Sequence, residues 1–88
     1  MSTRVNALKS KLKSIEPSET QHSLYPVKEF CTDNKLFLVG SAGISKGGID
    51  DDIAELEERD NSNIVVRRYL YWSLQDLDCS TDKGYELI

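Results

Sequence analysis

The sequence is poor in the residues that build metal sites and nucleophilic dyads. It has one histidine, His22, and two cysteines, Cys31 and Cys79. These make no C-x-x-C or H-x-x-x-H pair, so no metal and no other cofactor is expected. Two cysteines are also too few for a disulfide scaffold. Reduced thiols are expected, with a Cys31–Cys79 bridge only in an oxidising compartment. A Cys31–His22 dyad needs a third, positioned group. His22 instead falls in residues 17–26, a stretch bounded by two prolines that reads as a flexible linker. Long apolar runs are missing as well. The longest, Leu36-Phe37-Leu38-Val39, is far shorter than a membrane span. Residues 1–15 contain no unbroken apolar stretch of the kind a secretory signal requires. A cytoplasmic protein without membrane association is therefore expected.

What is present is a single small domain's worth of chain, 88 residues with a formal net charge of −4. A chain of this size buries only about 60–65% of its unfolded surface, which leaves a thin stability margin and makes self-association into a homo-oligomer an expectation. A multi-motif enzyme fold does not fit. The charge is polarised. Residues 1–15 carry Arg4, Lys9, Lys11 and Lys13 and no acid. Residues 50–60 carry Asp50, Asp51, Asp52, Glu55, Glu57, Glu58 and Asp60 against Arg59. Such an acidic segment attracts basic partners, and it also serves simply as a solvated surface.

Hydrophobic periodicity suggests an α+β domain in the order α-β-β-α-α-β, a small antiparallel hairpin covered by helices. Val5, Leu8, Leu12 and Ile15 make one face of a helix over residues 3–15. Residues 27–40 read as a hairpin turning at Asp33-Asn34. Residues 40–48, with four of the five glycines, read as a mobile loop. Residues 49–59 read as an acidic helix with Ile49, Ile53 and Leu56 inward. Residues 64–78 fit two templates. Val65, Val66, Tyr69, Leu70, Leu74 and Leu77 fall on one side of a helix, whereas the β-branched and aromatic content of residues 64–72 favours a strand. The helix is chosen, with the strand as its rival. Residues 85–88 read as a short last strand.

Several motifs are incomplete. Strand, GSAGISKGG, then helix is a phosphate-cradling layout, but Lys46 precedes Gly47-Gly48 and no Ser or Thr follows it as a P-loop requires. Asp50–Asp52 would also face the anion. Asp76-Leu77-Asp78 resembles the D-x-D-x-[TV] nucleophile motif of the haloacid-dehalogenase phosphatases, with Ser80 in place of Thr or Val. Asp76, Asp78, Ser80 and Asp82 also follow the first ligands of a Ca²⁺ loop. Thr81 there replaces the required Gly, and Leu87 the bidentate Glu. A polar turn accounts for all of these residues.

Residues 49–88 taken together resemble a winged helix-turn-helix. VRRYLYWSLQDLD stands where the recognition helix belongs, and STDKGYELI where the wing does. The resemblance implies nucleic-acid contacts by Arg67, Arg68 and Lys83. The acidity of the preceding segment and the sequence pI of about 4.9 run against the basic character of nucleic-acid binders. The preferred expectation is a small non-enzymatic regulatory protein working by protein–protein interaction. Its acidic helix (Asp50, Asp51, Asp52, Glu55, Glu57, Glu58) would dock on a basic surface of a protein partner. It would act like an inhibitor that imitates a nucleic-acid backbone. Tyr71 and Trp72, beside arginines, join that surface as interface-type aromatics. The winged-helix DNA-binding regulator is the alternative.

Overall fold

A computed structural model describes residues 3–20, 34–76 and 81–88. Its elements are α1 (Thr3–Lys11), β1 (Lys13–Thr20), β2 (Lys35–Lys46), β3 (Ile49–Arg59), β4 (Val65–Gln75) and β5 (Thr81–Leu87). The strands form one antiparallel meander in chain order, β1-β2-β3-β4-β5. The expected α+β domain with three helices is thus corrected to a five-stranded sheet with one short helix. The second and third expected helices are β3 and β4, and the strand rival was the right one for residues 64–72.

The reason lies in long-range pairing. Ile49, Ile53 and Leu56 match a helical stripe, but in the sheet Ile53 and Leu56 fall on opposite faces and both are buried. The acids that follow Leu56 lose little, because β4 brings Arg68 opposite Glu57 and Arg67 opposite Glu58. The presumed loop 40–48 is also mostly strand. Ala42 and Ile44 are partly covered while Ser41, Gly43 and Ser45 are exposed, the period-2 alternation of a strand with one face packed. Only Gly47 and Gly48 turn, with φ of 61° and 80°. Two successive positive φ values are what a two-residue hairpin with the twist of its strands requires. The β3–β4 connection is held by Asp60, whose Oδ1 accepts from Ser62 N (2.8 Å) and Ile64 N (3.0 Å). Asn63, at φ 64°, takes a conformation that Asn tolerates better than most residues.

Of the segment expected as a linker, residues 17–20 belong to β1 and residues 21–26 lie outside the described residues. The expected strand 27–32, Cys31, Cys79 and His22 lie outside them too. Of the expected hairpin across residues 27–40, residues 35–40 belong to β2, which pairs with β1 and β3.

The helix lies on one face of the sheet. Val5 and Leu8 are buried there with Ile53, Leu70 and Leu74, and Leu12, Ala42, Ile44 and Trp72 pack around them. Ile15, expected on this apolar face, is in β1 and exposed, because the helix stops at Lys11. The far face has its own cluster of Leu36, Leu56 and Tyr69, with Leu38 and Tyr71 against it. Among the described residues no helix is long and apolar enough to cross a membrane.

Candidate functional site

The six acidic residues expected to form one helical surface are divided by the sheet. Register places Asp51, Glu55 and Glu57 on the helix-bearing face, and Asp50, Asp52 and Glu58 on the far face. Most are engaged within the molecule. The guanidinium of Arg4 grips Asp51 through two bonds, Nε to Oδ2 at 3.0 Å and Nη2 to Oδ1 at 2.6 Å. It also donates to Asp76 Oδ1 (2.9 Å) and the Gln75 carbonyl (2.7 Å). Those bonds tie α1 to the ends of β3 and β4. The Arg4 bonds hold the Asp51 carboxyl below its ordinary range despite partial burial.

Glu58 is fully buried. Burial pushes its carboxyl up, but its partners outweigh that and the net shift is downward. Tyr69 Oη donates to Oε1 at 2.5 Å, Asn34 Nδ2 donates to Oε2 at 2.5 Å, and Arg67 Nε sits 3.0 Å from Oε1. On the opposite face Glu57 accepts from Arg59 Nη2 at 2.9 Å, and Arg68 Nη2 lies 3.4 Å away. Arg59 also rests over the Phe37 ring, 4.4 Å from its centroid, a cation–π contact.

The two candidate surfaces therefore meet. Arg67 and Arg68, assigned to nucleic acid by the winged-helix resemblance, are the ion-pair partners of Glu58 and Glu57. They lie on a strand, so that resemblance does not hold. Lys83 is exposed on β5, opposite Ser73. Asp50 and Asp52 stay exposed on one face, with Asp50 accepting a hydrogen bond from Ser45 Oγ. Glu55 is half-buried beside Gly40. Trp72 packs on the core and over Gly84, and Tyr71 packs on the far-face cluster.

Sequence reasoning missed two groups. Asn34 and Tyr69 complete the Glu58 site, and nothing in their local pattern marks them. The second group is apolar and exposed. Ile64, Val65 and Val66 at the start of β4 lie at the same end of the sheet as Leu87 and Ile88, with Ile64, Leu87 and Ile88 about 60–65% exposed. Val66 is the extra residue of a bulge, since Glu58 pairs with Arg67 and Arg59 with Val65. Helical reading had placed Val65 and Val66 in the core. Five aliphatic side chains are thus exposed at this end of the sheet, with Leu87 on the far face opposite Tyr69 and Val65 opposite Arg59. No group of three or more potential metal ligands occurs among the described residues. Compared with protein-family models, curated proteins and solved structures, the chain matches none of them.

Proposed function

We propose that this chain is a small non-catalytic protein-binding module, regulatory in action. Its contact surface is the apolar end of the sheet: Ile64, Val65 and Val66 with Leu87 and Ile88, flanked by Arg67 and Arg68. The observation that carries the reading is the exposure of those five aliphatic side chains together. Burying the exposed part of each against a partner recovers a fraction of the about 1.5–3 kcal/mol that full burial is worth, before the costs of association. Arginine at the border of an apolar patch suits such an interface.

A second, narrower reading keeps the acidic surface, reduced to Asp50 and Asp52. It is favoured by their exposure side by side on one face of β3. In that reading they meet a basic patch on a protein partner. The experiment is crosslinking and capture in the source cell with three proteins: wild type, Ile64→Lys/Val66→Lys, and Asp50→Asn/Asp52→Asn. The main reading expects the captured partner to be lost in the first variant and kept in the second. Capture unchanged by Ile64→Lys/Val66→Lys overturns it. Loss in the acidic variant alone, with steep salt dependence in wild type, supports the second reading.

A further inference from the structure

We infer that β5 is a self-complementary edge along which a second copy of this chain adds, antiparallel, with the twofold axis at Tyr85.

The two edges of the sheet differ. β1 carries Pro17 and an irregularity between Ser14 and Ser18, both features that block strand addition. β5 pairs with β4 in unbroken register from Gln75↔Thr81 to Tyr69↔Leu87. It contains no proline, and no described strand lies on its other side. Tyr85, Leu87 and Ile88 are exposed along it.

Hydrogen-bond phase selects which residues face outward. Ile88 N donates to Arg68 O at 3.0 Å. Antiparallel pairs alternate between bonded and non-bonded positions, so residues 82, 84 and 86 turn their backbone groups toward β4. Lys83, Tyr85 and Leu87 turn theirs away. A twofold axis through Tyr85 then falls on a bonding position.

Charge and strand length select the register, since an axis at Leu87 would leave only Glu86–Ile88 to pair on either side. With the axis at Lys83 or Glu86, like charges meet on the axis itself. With it at Gly84, Asp82 opposes Glu86. With it at Tyr85, the opposing pairs are Tyr85–Tyr85, Gly84–Glu86, Lys83–Leu87 and Asp82–Ile88, and no like charges face each other. This register also sets Leu87 diagonal to Tyr85 of the second copy, within reach for packing. The Lys83 stem lies across from Leu87, where its methylenes cover apolar surface while the ammonium stays in water.

The inference shares Leu87 and Ile88 with the proposed binding surface, so its test uses substitutions on β5 alone. Sedimentation equilibrium of the full chain is measured from micromolar concentration to about 1 mM, a range that reaches even weak pairing. Leu87→Lys sets like charge against Lys83 twice per dimer and raises the dissociation constant about tenfold. Leu87→Glu sets opposite charge there and keeps the dimer. Adding Lys83→Glu to Leu87→Lys restores it. A wild-type monomer at the highest concentration overturns the inference. So does equal weakening by Leu87→Lys and Leu87→Glu, which marks unspecific apolar contact, and so does a dimer indifferent to all three. Thermal unfolding of each variant checks that the sheet is intact. A monomer that still loses its captured partner with Ile64→Lys/Val66→Lys overturns the dimer and leaves the binding reading standing.

Discussion

Arg67 and Glu58 face each other across the β3–β4 ladder, with Nε 3.0 Å from Oε1. Glu58 is wholly buried while the arginine side chain remains 44% exposed. One charge is thus withdrawn from water and the other leads from it to the surface. Glu57 and Arg68 repeat the pairing one residue along, on the opposite face. A run of acids and a run of basic residues that look like two separate surfaces become rungs of one ladder. Glu57 and Glu58 are thus paired with Arg68 and Arg67, while Asp50 and Asp52 stay exposed.

Removing the Tyr69 hydroxyl should destabilise the protein without disturbing its core. Tyr69→Phe keeps the ring in the cluster with Leu36 and Leu56 and deletes the 2.5 Å bond to Glu58. Hydrogen bonds to charged groups contribute about 1.5–3 kcal/mol. Urea unfolding should show that loss with an unchanged slope. A loss below about 0.5 kcal/mol, the size of an ordinary surface change, would show that Asn34 and Arg67 satisfy the carboxylate without it.

Acid should unfold the protein through the same groups. The carboxyls of Glu58 and Asp51 are both held below their ordinary values, which are 4.5 and 3.8. A depressed carboxyl contributes stability above its unfolded value and loses it as pH falls through its folded value. Stability should therefore be level near neutrality and fall once pH drops below about 4.5. In Glu58→Gln that fall should be shallower, because one of the two groups no longer titrates. Parallel curves for wild type and Glu58→Gln, measured by urea midpoint against pH, would remove Glu58 from this account.

The Arg4–Asp51 pair should couple helix docking to the sheet. Arg4 is partly exposed, so solvent screening limits the pair, and the two hydrogen bonds it donates to Asp51 strengthen it. A double-mutant cycle with Arg4→Ala and Asp51→Ala should give a favourable coupling. Hydrogen exchange in α1 should accelerate in either single variant. A coupling of zero with α1 still protected would mean that Val5 and Leu8 alone hold the helix.

Parts of this architecture are readable from the residues. Val5 and Leu8 mark the helix, because both lie on its one buried face. The last strand is visible only at its end, residues 85–88; residues 81–84, which read as a polar turn, are strand as well, paired along β4. The remainder is not local. Ile49, Ile53 and Leu56 satisfy a helical period and break a strand's, since Leu56 falls on the face opposite Ile53, and the decision comes from β2 and β4 on either side. The Glu58 site depends on Asn34, 24 residues away, and Tyr69, 11 residues away, and no spacing rule connects them. The exposed aliphatic end is hidden for a related reason. Val65 and Val66 look like core in any periodic reading, and only the bulge at Val66 turns the register there.

Gly84 should be the least replaceable glycine of the strands. A Cβ there would stand 2.6 Å from Trp72 Cζ2 and 2.7 Å from Cε2. The indole is packed against the core under the helix, so it has little room to yield. Gly84→Ala should cost about 1–3 kcal/mol, the range of overpacking. Gly43→Ala is the matched control. Its Cβ would meet the carboxylate end of Asp52 at 3.1 Å and the Asp51 carbonyl oxygen at an ordinary contact distance of 3.6 Å, on an exposed stretch of strand, and its effect should stay within about 0.5 kcal/mol. Trp72 is the sole tryptophan, so its fluorescence reports both the unfolding midpoint and any shift of the ring toward water. Shortening the ring in Trp72→Leu should relieve the clash, making the Gly84→Ala and Trp72→Leu effects less than additive. Strict additivity, or a Gly84→Ala protein as stable as wild type, would show that the indole does not need the glycine beneath it.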